Sequence, residues 1–353
     1  MTARTPQQLL RHVFPPMLAT LVGEPPSNDR DWVWELKYDG FRALTAITGG
    51  DMAMWSRNEL DLIPRFPEVA KAVAKLKVKD VVLDGEIVAL DEKGVPRFQL
   101  LQGGTNRERL VVFDILWLDG EDLRRRPYTE RRAALEKVLR RAPAGIELAQ
   151  VLQTSGAEAL KRAAGENWEG IIGKRRTSVY EGRRSKEWIK VKALNEQEFA
   201  IIGYTLSTAT TREIGALHLG VMGDDGEMHY AGKVGTGFSS KLRVQMRERL
   251  AKDEVPSSPA KDAPRARDAH WVKPRLVAQV AFTEWTEDNK LRHPSFLGLR
   301  DDKSPEEAVR EKKSVAAGGS PAGSRGAGSK VGSSGLGVGR KTKGAARVDR
   351  KPR

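Results

Sequence analysis

The chain has 353 residues, no cysteine and a formal charge of +14 at neutral pH. That length accommodates two or three domains, and the missing thiols exclude disulfide frameworks, thiolate zinc sites and cysteine nucleophiles. No run approaches the roughly 18 uninterrupted apolar residues of a spanning helix, and the first residues lack the basic-then-apolar pattern of a secretory signal, so the expectation is a soluble, cytoplasmic protein without a membrane partner.

The first informative segment runs from Trp32 to Arg42. With period-two alternation, Trp32, Trp34, Leu36 and Tyr38 share one face and Glu35, Lys37 and Asp39 the other, and Gly40 permits a tight turn. A helix is predicted over 66–76. A strand over 81–90 follows, from which Asp84 and Glu86 project together, and then a strand over 110–118. Helices over 129–140, with Thr129 as N-cap, and 157–164 lead to two more strands. The first of these, 170–174, is opened by Glu169. The second, 187–192, sets Lys190 and Lys192 on one face. Four strands aiming charge into one space would form a polar cleft suited to phosphate and Mg²⁺ chemistry.

After residue 193 the pattern changes to short strands and turns. Strands are predicted at 199–204, 217–222 and 227–231, the last two joined by the hairpin turn Gly223-Asp224-Asp225-Gly226. A helix over 239–252 capped by Ser239 precedes a surface loop over 255–268 that carries Pro256, Pro259 and Pro264. A strand over 276–285 and a segment over 291–300 complete the set, which suits a small β-barrel of the OB type. The five histidines (His12, His218, His229, His270, His293) show no metal-ligand spacing.

From Lys312 onward there are eleven Lys and Arg against one acid, Asp349, which leaves about +4 for everything before it. This Gly-, Ser- and Ala-rich tail cannot bury enough surface to offset its ordering entropy and is expected to be disordered. The expected divisions are 1–194, 195–311 and the tail 312–353.

Taken together, these segments resemble the covalent nucleotidyltransferases, and within them ATP-dependent DNA ligases of the bacterial end-joining, DNA ligase D type, over about residues 14–307. Glu35-Leu36-Lys37-Tyr38-Asp39-Gly40 is similar to the family's nucleophile motif (KxDG), and Ser56-Arg57-Asn58 to the motif after it. Leu83-Asp84-Gly85-Glu86, Phe113-Asp114-Ile115-Leu116, Glu169 to Arg175 and Trp188-Ile189-Lys190-Val191-Lys192 resemble the next four. Arg292-His293-Pro294-Ser295-Phe296 and Leu299-Arg300-Asp301-Asp302-Lys303 resemble the last. One departure is Glu59, where the family places glycine, which puts the local turn in doubt.

The resemblance implies an α+β fold: an ATP-grasp-like nucleotidyltransferase (adenylation) domain followed by an OB-fold β-barrel. It implies a ligase that seals 3′-hydroxyl/5′-phosphate nicks through lysyl-AMP on Lys37. Asp39, Lys190 and Lys192 would assist Lys37. Glu35, Arg42, Arg57, Glu86, Phe113, Glu169, Trp188, Arg300, Asp302 and Lys303 would bind ATP or AMP. Phe113 would stack on adenine, Arg42 would meet the ribose, Arg57 the nick's 5′-phosphate, and Arg300, Asp302 and Lys303 the pyrophosphate. Glu86 and Glu169 would hold Mg²⁺ or Mn²⁺. Lys190, Lys192 and the metal are expected to lower the Lys37 pKa, with Glu35 and Asp39 working against them. Implied partners are nicked or broken duplex DNA and a Ku-type end-binding protein, with the chain a monomer. The chain starts with Met, and both a stand-alone ligase and a fragment of a longer polypeptide stay open.

Rival readings fit less well. An RNA ligase or capping guanylyltransferase shares the lysine motif but not Trp188–Lys192 or Arg292–Phe296. NAD⁺-dependent ligases need an N-terminal module and a cysteine zinc finger. A DNA-binding protein with a decayed core would be free to lose Lys37, Glu169, Lys190 and Lys192.

Overall fold

Local chemistry starts the chain in order. In the computed structural model, which describes residues 4–102 and 107–311, Thr5 and Gln8 form a reciprocal capping box for α1 (Pro6–Val13). The expected tail over 312–353 lies outside the described residues. The strands β1 (Leu18–Leu21), β2 (Trp32–Leu36), β3 (Phe41–Thr48) and β4 (Asp51–Trp55) precede α2 (Pro67–Val73). Then come β5 (Asp80–Ala89), β6 (Glu108–Leu118), β7 (Glu121–Asp122), α3 (Tyr128–Leu139), β8 (Ile146–Leu148), β9 (Val151–Leu152) and α4 (Gly156–Gly165). β10 (Gly170–Arg175) and β11 (Arg184–Lys192) end the first half. The second half has β12 (Glu196–Leu206), β13 (Ile214–Met222), β14 (Met228–Val234), α5 (Ser240–Leu250), β15 (Ala269–Trp271), β16 (Val277–Ala281), β17 (Glu284–Trp285), β18 (Leu291–Arg292) and β19 (Ser295–Leu299).

Two sheets build the first half. One has the order β1-β11-β10-β2-β9; the other is β4-β3-β5-β6-β7 with β8 on β6. Leu10, Met17, Leu44, Val82, Leu116 and Trp188 fill the space between them, while α2 and α3 cover the far side of the second sheet over Leu83, Ile87 and Leu110. The second half has one large sheet, β14-β13-β12-β16-β19 with β15 on β12, and a separate pair, β17-β18. The large sheet packs with α5 around Phe199, Leu219, Met246 and Val280. Its ladder is open, and the Phe296 N–H donates to Thr236 O just beyond β14 at 3.0 Å.

Several expectations are corrected. Thr129 is not an N-cap. Pro127 occupies that position without a side-chain bond, its extended backbone starting α3 one residue earlier so that Tyr128 is buried. Ser239 does cap α5, accepting from Leu242 N–H. The strand expected over 276–285 breaks at Phe282, and β16 and β17 lie in different sheets. The loop over 255–268 is not wholly superficial, because Ala260 is buried in a cluster with Tyr230.

Gly40 is needed for a different reason than a turn. A Cβ there would sit 2.1 Å from Ile87 O, so glycine lets the chain after Asp39 press against β5. Glu59 adopts φ +60°, the left-handed conformation that glycine takes without penalty. The turn persists because Ser56 Oγ accepts from Asn58 and Leu60 N–H (3.2 and 3.1 Å) and Ser56 O from Glu59 N–H (3.1 Å).

Candidate active site

The β2 ladder stops at Leu36, and the three residues that follow leave the sheet at the mouth of a cleft. The Lys37 N–H donates to Gly170 O at 2.9 Å, which fixes the loop against the start of β10. The Lys37 Nζ is then ion-paired with Glu169, one residue before β10.

The cleft has two adjoining lobes. The larger, of about 480 Å³, is lined by Lys37, Asp39, Arg42, Arg57, Glu86, Glu169, Lys190, Lys192, Arg300, Asp302 and Lys303. The smaller, of about 170 Å³, adds Glu35, Phe113 and Trp188. Every residue assigned to the nucleophile, the nucleotide or the metal therefore lines one lobe or the other, although 263 positions separate Lys37 from Arg300 in sequence. Asp84 does not join Glu86 in the cleft. It is fully buried, accepting from Arg42 (2.5 and 2.6 Å) and the Tyr180 hydroxyl (2.6 Å), and so anchors Arg42 from beneath.

Glu35 does not act on Lys37. Its carboxylate pairs with Lys174 at 2.9 Å and accepts from the Tyr128 hydroxyl, with Arg132 at 3.7 Å. Lys174 also donates to Phe113 O at 2.9 Å and lies 4.7 Å from the Phe113 ring centroid, as does the Arg42 guanidinium. The indole N–H of Trp188, in the same lobe, is buried without an acceptor among the described residues.

Lys190 and Lys192 by themselves do not bring the Lys37 pKa down. Burial pulls it down, but Glu169 and Asp39 push it above the ordinary lysine range. The neighbouring acids show the complementary strain. Burial, reinforced by the Glu169 charge, raises Asp39 to about 6. Burial raises Glu86 to about 7 against Arg42 and Lys37, and raises Glu196 to about 7 with help from Glu169. The larger lobe is thus short of positive charge at its carboxylate end.

At the other end the lysines already have an anion. Glu311 lies 2.6 Å from both Lys190 and Lys192. Burial opposes its charge, yet Lys192 and Lys190 hold it at about 2. Burial and the Lys192 charge lower Lys190 to about 8. From the second half, Arg300 makes a two-bond pair with Asp302 (2.9 and 2.9 Å), and Lys303 pairs with Glu198. Arg57 pairs with Glu307 at 2.9 Å, and Asn58 donates to Asp302 O and Glu307 at 2.8 Å.

Residues not foreseen are Lys174, Glu196, Glu198, Gln279 and Glu311. A signal existed for three of them: Glu196 and Glu198 alternate at the head of β12, and Gln279 is the lone polar residue of Val277–Ala281. Among the described residues no group of three or more His, Asp or Glu is disposed to hold a metal ion by itself. The hard oxygens of Glu86 and Glu169 fit Mg²⁺ or Mn²⁺ in the manner of sites that use one or two carboxylates and complete the shell with substrate phosphate. No helix among the described residues is long and apolar enough to cross a membrane.

Comparison with known proteins agrees with this geometry. Residues 16–192 match the family described as ATP dependent DNA ligase domain, and residues 210–303 that described as ATP dependent DNA ligase C terminal region. The chain is 40% identical over 308 residues to the multifunctional non-homologous end joining protein LigD of Pseudomonas aeruginosa, covering 84% of this chain and 36% of that protein. It is 38% identical over 305 residues to LigD of Mycolicibacterium smegmatis, covering 84% and 40%. It therefore spans less than half the length of these curated relatives. A solved structure of mycobacterial DNA ligase D complexed with ATP and MES shares 38% identity at TM-score 0.64, over 84% of this chain and 98% of that one.

Proposed function

The chain belongs to the ATP-dependent DNA ligases, and we propose that it seals nicks in duplex DNA through an AMP carried on Lys37. The observation that carries this reading is the convergence of Lys37, Glu169, Lys190 and Lys192 from the first half with Arg300, Asp302 and Lys303 from the second on one cleft. We place the division between the halves near Leu194 and read the second as an OB barrel. The Phe296–Thr236 hydrogen bond supports closure of its sheet.

In the first step the neutral Lys37 amine attacks the α-phosphate of ATP. The bond from that phosphorus to the bridging oxygen breaks, pyrophosphate leaves, and the amine loses its proton. Lys190 and Lys192 stabilise the charge that gathers on the α-phosphate, and Arg300 and Lys303, with Asp302 orienting Arg300, meet the departing pyrophosphate. Asp39 balances the ammonium before reaction. Phe113, Trp188 and Glu35 shape the base lobe, and Arg42, anchored on Asp84, faces the ribose. A divalent cation held by Glu86 and Glu169 would cancel the carboxylate charge that keeps the proton on Lys37.

The AMP then passes to the 5′-phosphate at the nick, which Arg57 recognises, and the 3′-hydroxyl displaces it. The second half closes for the first step and swings away for the others. DNA is held through phosphate contacts without base readout. The likeness to relatives named for non-homologous end joining supports a role in end joining, and with that role we propose a Ku-type partner, a monomeric state and a cytoplasmic, nucleoid-associated location. The test is ligation of a nicked duplex. A 5′-phosphorylated nick is sealed with ATP and Mg²⁺ or Mn²⁺, and a nick lacking the 5′-phosphate is not. Sealing with NAD⁺ alone, or none with ATP, contradicts the proposal.

Because Glu311 covers the two lysines assigned to the α-phosphate, ATP must displace its carboxylate. Glu311→Gln removes that competitor, and the ATP concentration for half-maximal labelling of the protein is expected to fall about fivefold, the equivalent of about 1 kcal/mol. Titration of labelling against ATP checks this.

A further inference from the structure

Gln279 sits on β16 with its amide in the cleft, while its neighbours Ala278 and Val280 point into the core of the second half. It is 3% exposed. Its Nε2 donates to both carboxylate oxygens of Asp39, at 2.9 and 3.0 Å, and approaches Glu196 at 3.3 Å. Its Oε1 accepts from Arg300 Nη1 at 3.0 Å. Donor and acceptor ends are both engaged, and each faces a charge of the matching sign.

Few side chains can fill that position. A carboxylate would repel Asp39 and Glu196, a cation would repel Arg300, and an apolar group would leave buried charges short of partners. Asp39 lies two residues from the nucleophile, and Arg300 belongs to the end of the cleft assigned to pyrophosphate. The amide is a direct side-chain link between those two groups.

We propose that Gln279 is a positioning residue for lysine adenylation, coupling the Lys37–Asp39 loop to Arg300, and that this coupling is not needed once AMP is on DNA. The inference rests on the ligase reading. Pyrophosphate exists only in the first step, so a link that holds its binding end against the nucleophile serves that step alone. The contact also joins the two halves, so separation of the halves breaks it without disturbing Lys37.

The experiment compares wild type with Gln279→Met, which keeps the length and loses the hydrogen bonds, and Gln279→Glu, which keeps the shape and adds charge. Single-turnover labelling of the protein by α-labelled ATP and sealing of a synthetic pre-adenylated nick are measured on each. Gln279→Met is expected to slow labelling roughly 10- to 100-fold, while sealing stays within about threefold of wild type.

Gln279→Glu is expected to be the slower of the two at alkaline pH. It should recover relative to wild type as pH falls, because a protonated carboxyl again donates to Asp39 and accepts from Arg300. The charged groups around that position are Asp39, Glu169, Glu196, Glu198, Lys37 and Arg300. Unimpaired labelling, equal loss in both assays, or a Gln279→Glu ratio that does not move with pH would overturn the proposal. Failure of wild type to take label at all would instead sink the ligase reading beneath it.

Discussion

Lys37→Arg is expected to abolish transfer of AMP from ATP, with labelling down by more than about 10⁴-fold, while the protein stays folded. Arginine keeps the positive charge that pairs with Glu169 but cannot lose its proton in a protein and so supplies no nucleophile. Sealing of a pre-adenylated nick by this variant should survive within about tenfold, since that step asks nothing of the lysine amine. Parallel assays of labelling, sealing from ATP and sealing of the pre-adenylated nick check the pattern. Wild-type labelling should also rise with pH over roughly pH 6 to 9, because only the neutral amine attacks and a lysine is mostly protonated across that range. Loss of sealing on the pre-adenylated substrate would place Lys37 in a structural role instead.

The second large effect concerns stability. Arg131 and Asp114 are both fully buried and joined by two hydrogen bonds of 2.9 and 2.8 Å. Arg131 also donates to Arg126 O (2.7 Å) and Ser178 O (2.9 Å), and Asp114 accepts from Ile115 N–H (2.9 Å). Arg131→Met strands a carboxylate in the core directly after Phe113, so unfolding should become easier by about 3–5 kcal/mol. That corresponds to a Tm lower by roughly 5–15 °C. The paired change Arg131→Met with Asp114→Leu removes both charges and should recover much of the loss. Thermal denaturation of the two variants decides it. A single variant as stable as wild type would mean that water reaches Asp114.

What the sequence made legible was alternation. Lys190 and Lys192 on one face of β11, Glu169 ahead of β10 and Glu86 on β5 could be read from period-two spacing inside apolar runs, and the structure gathers them at one cleft. Depth was not legible. Asp84 shares a face with Glu86 but lies beneath the cleft, because Arg42 crosses over from β3, whose pairing registers Leu44 with Asp84 and Arg42 with Glu86. Alternation names a face, whereas the cross-strand register decides which carboxylate is covered.

Long-range partners were equally hidden. Glu311 meets Lys190 across 121 positions and Gln279 meets Asp39 across 240, and nothing local in either segment announces its partner. α1 was missed because eight residues give barely two turns of periodicity. Thr129 misled because an N-cap residue type one position inside a helix looks the same in sequence as one at its boundary. Glu59 shows the converse: a family glycine position can carry a side chain when its neighbours, here Ser56, hold the turn.

The central claim is a covalent AMP on Lys37 that is passed to DNA, and its most direct test follows that AMP. Protein stripped of carried-over nucleotide with pyrophosphate is incubated with α-labelled ATP and Mg²⁺ or Mn²⁺, isolated under native conditions, and divided. One portion is mapped by peptide mass analysis, and the other is mixed with a nicked duplex. The expected result is label on Lys37 alone, its transfer to the nick's 5′-phosphate, and its release as AMP as the strand is sealed. No label with either metal, or label on a residue other than Lys37, would contradict the claim.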